Sequence, residues 1–229
     1  MSGLPTVHDV ALRALCLTAV AAAGAYATVL VAEPEAFDEV AEALAELTEW
    51  LHEDDVIAGF SPDEQQLLAH PIEEWTDEQR VAAASRAESL GVLLWALQVV
   101  DVIPPWDEPF DTVEEAPLGE NVEELLERAN LRPLDEIERA RDIADLWLWR
   151  AAASSGDIDI IGGTARAAYD AGDIPAPIAG DFPVFEKAYR DLADDERALA
   201  RTIAGERRQA LAWLCGQTGG WESPAAIAG

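Results

Sequence analysis

Residues 76–100 read TDEQRVAAASRAESLGVLLWALQVV. Thr76 is followed three positions later by Gln79, with Asp77 and Glu78 between them, the signature of a capping box at a helix start. Residues 90–100 are then apolar on all sides except at Gly91 and Gln98, so this segment is expected to be the central helix of a domain. Just ahead of it Ala82, Ala83, Ala84, Ser85, Ala87 and Ser89 are small enough to let neighbouring helices approach closely. Pro104 and Pro105 in DVIPPWDEPF (101–110) cannot continue a helix and end it.

A helix apolar all round needs a shell, and the rest of the chain supplies helices. Thr6 with Asp9, Ser61 with Glu64 and Asn121 with Glu124 repeat the start signal, and Pro62 adds proline at a first helical position. Phe37, Val40, Ala41, Leu44, Leu47, Trp50 and Leu51 recur at three- and four-residue steps, an amphipathic stripe with glutamates on the other face. Further helices are expected at about 121–131, 133–154 and 194–215, the last closed by Gly216. The longest alternating pattern is DIDII (157–161). The sequence therefore predicts an all-α fold of six to eight helices over residues 1–220, a flexible tail over 221–229 and an aromatic loop near 180–192.

The 229 residues carry 45 acids against 15 bases, a net charge of −30. The imbalance is uneven, with 28 acids and 4 bases in residues 1–130 and 17 acids and 11 bases in the remainder. Such a surface repels nucleic-acid phosphate and anionic membranes, which argues against direct binding of either. It suits high salt, cationic partners or imitation of nucleic acid. Residues 14–32 run for 19 positions without a charge, long enough to cross a bilayer. Eight of them are Ala, and the residues ahead hold Asp9 and only Arg13, so a buried helix is expected here rather than an anchor or signal. Cys16 and Cys215, far apart and without CxxC spacing, read as buried thiols of a reducing cytosol.

Motifs of known chemistry are not found. His8, His52 and His70 have no metal-ligand spacing, and no P-loop, GxSxG or dinucleotide fingerprint occurs, so neither a metal nor a cofactor is expected. Charges inside apolar helices carry more information, because an ion removed from water needs a partner. Arg86 and Glu88 lie two positions apart and cannot simply pair with each other, so each needs a partner elsewhere, from Asp145, Arg150, Glu206 or Arg207. The aromatic loop GDFPVFEKAYRDL (180–192) adds Phe182, Phe185 and Tyr189 beside Lys187 and Arg190. It reads as a lid or wedge that inserts Phe182 and Phe185 between helices. The residues drawn together as a ligand site are Arg86, Glu88, Trp149, Arg150, Phe185, Tyr189, Arg190 and Glu206.

Three segments, SRAESLGVLLWAL (85–97), GDFPVFEKAYRDL (180–192) and ERRQALAWLCG (206–216), resemble in order and spacing the bacterial family of unknown function numbered 4272. The resemblance spans about residues 10–216 and implies a helical cytoplasmic domain without an established activity. Five positions depart from the family pattern: Ser85 stands for Trp, Glu186 for Gly, Ala188 for Pro, Arg208 for His and Ala212 for Asn. Any chemistry that His and Asn perform in relatives is lost here. Three functions stay open on these grounds. One is a non-enzymatic interaction or regulatory module for a protein or small molecule. A second is a ligand-binding protein or enzyme using a cleft lined by Arg86, Glu88, Arg150 and Tyr189. The third is an anionic mimic of nucleic acid.

Overall fold

The structure, a computed structural model, describes residues 3–53, 56–112, 114–153, 157–218 and 220–221. It is all-α, 67% helical, with eight α-helices and one two-stranded sheet among the described residues. Helix α1 (Val7–Ala32) lies along α4 (Asp77–Ala96), and this pair forms the centre of the main core. Both begin at the expected capping boxes, Thr6 with Asp9 and Thr76 with Gln79. Close approach is possible because Gly24 faces Ala83 and Ala84: a Cβ there would stand 2.4 Å from the Ala84 backbone nitrogen. By length and composition α1 could cross a membrane, yet 56% of its most apolar window is buried inside this fold. Its one cation, Arg13, pairs with Glu64, which also accepts from the Ser61 N–H to cap α3 (Pro62–Leu68).

Helix α4 stops earlier than its apolar run suggests. Leu97 caps it, Gln98 takes a left-handed φ of +59°, and the Val99 and Gln98 N–H groups return to the carbonyls of Leu94 and Trp95. That is a Schellman closure, which costs Gln98 some strain but satisfies the last carbonyls. Helix α2 (Phe37–Glu53) is amphipathic as expected, with Val40, Leu47, Trp50 and Leu51 buried and Asp38, Glu39, Glu42, Glu46 and Glu49 outward. After the short α5 (Val122–Glu127) come α6 (Leu134–Ala152) and α8 (Asp194–Leu214), which pack on each other, α8 also lying against α4. Gly216 closes α8 at φ +67°.

The alternating DIDII opens α7 (Ile158–Asp170), a helix not among those expected, whose Ile161, Ala165 and Ala168 are buried at helical spacing while Ile158 and Ile160 are exposed. The strands lie in the aromatic loop, as β1 (Pro183–Val184) paired antiparallel with β2 (Lys187–Ala188). Trp221, assigned to the tail by sequence, is buried against Trp213 and under the Arg13 guanidinium. The rest of that segment, 222–229, lies outside the described residues.

Candidate functional site

The charges embedded in the helices resolve into separate clamps. Arg207 on α8 is fully buried, and each of its three nitrogens donates a hydrogen bond. Nε bonds Glu88 Oε2 at 2.8 Å, one terminal nitrogen reaches the carbonyls of Pro104 and Pro105 at 2.7 and 3.1 Å, and the other that of Glu108 at 2.7 Å. Burial lowers the Arg207 pKa, and the adjacent Glu88 carboxylate opposes that shift. Glu88 Oε1 accepts the Phe110 N–H at 2.9 Å, so one ion pair holds the 104–110 stretch of the loop that follows α4. Gly91 makes room for this: a Cβ would stand 2.2 Å from the Phe110 ring.

A second clamp shapes the aromatic loop. Arg150 on α6 makes a bidentate pair with Asp181 at 2.6 and 2.7 Å, and both residues are buried. The same carboxylate accepts the N–H groups of Phe182 and Arg190 at 2.8 and 3.0 Å, and the Arg150 guanidinium lies 4.4 Å over the Tyr189 ring. Burial alone would raise the Asp181 pKa, but Arg150 and the two backbone donors hold it below the usual aspartate value. Burial raises the Tyr189 pKa, and its hydroxyl has no hydrogen-bond partner among the described residues. The loop is a pair of tight turns. Ala179 and Gly180 (φ +50° and +77°) turn the chain before Asp181, and Phe185 and Glu186 (φ +50° and +59°) join β1 to β2. Two consecutive positive φ values suit the twist of a hairpin and favour Gly or Asn. Glu186 occupies the position where the family resemblance expects Gly, and its backbone shows why.

The expected site residues therefore meet in pairs. Arg86 pairs with Glu206 at 3.2 Å, and Ser89 donates to the same carboxylate at 2.6 Å. Arg150, Tyr189 and the backbone of Arg190 gather on Asp181. Phe182 is fully buried, edge-on to Trp147 at 5.2 Å. Trp149 is 37% exposed and tilted against Phe182, and Phe185 sits half-buried at the hairpin tip. None of Arg86, Glu88, Arg150 and Tyr189 lines any of the four clefts described for this protein. Among the described residues no group of three or more His, Cys, Asp or Glu could hold a metal ion.

What the two clamps frame is a groove of about 460 Å³. One wall is the loop after α4, with Ile103, Pro104, Pro105, Trp106 and Asp107; the floor is Ala140, Ile143 and Trp147 of α6; the far wall holds Asp173, Pro175, Pro183 and Glu186. Trp106 stacks on Trp147 at 5.8 Å, and Asp107 accepts the Phe185 N–H at 2.7 Å, tying loop to hairpin. The Trp147 indole N–H is buried without a partner among the described residues. Sequence reasoning took DVIPPWDEPF only as a helix stop. A run of Pro-Pro-Trp-Asp, rigid and aromatic outside a helix, was the available signal.

These features define a helical protein whose buried ion pairs serve to fix two loops around a surface groove. The chain belongs to the family described as Domain of unknown function (DUF4272), which it matches over residues 2–157. The match takes in SRAESLGVLLWAL and the Pro-Pro-Trp loop, whereas GDFPVFEKAYRDL and ERRQALAWLCG lie beyond it. No curated protein and no solved structure matches the chain.

Proposed function

We propose that the protein is a non-enzymatic interaction module that receives its partner in the groove between the Pro104–Trp106 loop, α6 and the β1–β2 hairpin. One observation carries this reading. The buried ions that an enzyme would need free, Glu88, Arg207, Arg150 and Asp181, are engaged with each other and with backbone groups. The groove they support is open and mostly apolar, the character of a binding site. Cys16 and Cys215 are free thiols, and the proposed setting is the reducing cytoplasm. Ala140→Arg, at a half-buried floor position, fills the groove without touching either clamp. Tagged wild type and this variant, captured from the native host at equal folded amounts, test the reading. A partner retained by the wild type and lost by the variant supports it, and an identical set on both refutes it.

A second reading rests on α2, which exposes Asp38, Glu39, Glu42, Glu46 and Glu49 and carries no Lys or Arg. That face favours mimicry of a nucleic-acid strand toward a basic protein. Loss of a captured basic protein on charge reversal at Glu42 and Glu46, and not with Ala140→Arg, selects it.

A further inference from the structure

The groove's chemistry narrows what it accepts, an inference that rests on the interaction reading above. Four of its wall residues, Pro104, Pro105, Pro175 and Pro183, have no backbone N–H. The carbonyls of Pro104 and Pro105 already accept from Arg207. The walls therefore offer an extended peptide no ladder of backbone bonds, and Pro183 on β1 cannot donate to an added strand. What the floor does offer is apolar surface from Ala140 and Ile143 rather than a donor, since the Trp147 indole N–H is itself buried. A polyproline II segment answers both conditions, because its backbone needs no hydrogen-bonded ladder and its rings present apolar surface. Its prolines also suit a Trp- and Pro-lined groove, as in other recognition of such segments.

Charge completes the specification. Asp107, Asp173 and Glu186 line the groove and no Lys or Arg does. Arg139 bridges Asp173 at 3.1 Å, which leaves Asp107 and the exposed Glu186 to face a ligand's cation. The faces of Trp106 are taken by Trp147 and by Arg207, whose guanidinium lies 5.2 Å from the ring centre, so an aromatic cage for a free ammonium ion is not built here. The geometry points to a partner protein that inserts a proline-rich segment flanked by Lys or Arg. The strained turn at Phe185 and Glu186 serves to carry the acidic side chain to the groove's edge, strain of a kind retained where a site requires it.

The test uses the full chain and fluorescein-labelled peptides read by anisotropy: Arg-Pro-Pro-Pro-Pro-Pro-Arg, the same peptide with Ala for every Pro, and the same with Glu for both Arg. The basic proline peptide binds saturably, and both replacements weaken it by about tenfold or more. Glu186→Lys weakens it by a similar factor of about ten, with less dependence on salt. Ala140→Arg abolishes it while circular dichroism and melting stay as in the wild type. Equal binding of the Ala peptide, unchanged binding by Ala140→Arg, or displacement by spermine alone at comparable concentration overturns the inference. No saturable binding of any peptide up to millimolar concentration also overturns it. If in that case the native-host partner is still lost by Ala140→Arg, the interaction reading stands and only the proline-rich occupant falls.

Discussion

Removing the Glu88 carboxylate is the most direct challenge to the clamp. Glu88 is 5% exposed, and its two oxygens accept from Arg207 Nε and the Phe110 N–H. In Glu88→Ala the Arg207 guanidinium stays fully buried without a counter-charge, and the Phe110 N–H loses its acceptor. Breaking a buried pair in this way typically costs ~3–5 kcal/mol. Arg207 keeps three carbonyl acceptors, from Pro104, Pro105 and Glu108, which soften the loss. A destabilisation of about 3 kcal/mol is therefore expected, a fall in Tm of roughly 6–12 °C for a chain of this size. Urea unfolding followed by far-UV circular dichroism measures it, with Glu88→Gln as the variant that keeps an acceptor but drops the charge. Gln should fall between wild type and Ala. In Glu88→Leu with Arg207→Met the two losses should add to less than their sum, because the apolar pair leaves no buried ion. A loss below about 1 kcal/mol for Glu88→Ala, or strict additivity in the double variant, refutes the clamp.

Gly91→Ala should destabilise by about 1–3 kcal/mol, since the added methyl meets the Phe110 ring that Glu88 holds in place; an unchanged urea midpoint contradicts that packing. The folded pKa of Asp181 lies below its ordinary value, so its stabilisation is complete above about pH 4 and is lost as pH falls further. Asp181→Asn should lower stability at neutral pH and flatten the acid limb of the urea midpoint against pH; a parallel shift at all pH values counts against the pair. With a net charge of −30, added sodium chloride should raise Tm from low to molar concentration, since repulsion between surface carboxylates is screened beyond about 8 Å at physiological ionic strength. A flat or falling Tm means that the acids are already spaced or paired well enough. Burial pushes the Cys16 thiol up to about 12, so it should resist thiol reagents in the native state and react at once in urea.

Sequence alone determined most of the helices, because their causes are local. The capping boxes at Thr6, Ser61, Thr76 and Asn121 need only residues three positions apart, and all four form. Gly216 closes α8 because a left-handed residue there satisfies carbonyls within the preceding turn. The need of Arg86 and Glu88 for distant partners was equally legible, since burial of an ion is readable from its apolar neighbours. Which partner each takes was not. Glu88 and Arg207 are 119 positions apart, Arg13 and Glu64 51, and Arg150 and Asp181 31. Asp181 stood inside the quoted aromatic loop and still gave no sign of being the residue on which the loop is hung. Helix α7 was not legible, because its first residues, DIDII, alternate in twos and only Ile161 among them reaches the core. The groove belonged wholly to the tertiary structure. Its residues come from the loop after α4, from α6 and from the hairpin, segments that local propensity orders one at a time and that only the buried Arg207 and Arg150 clamps bring to face one another.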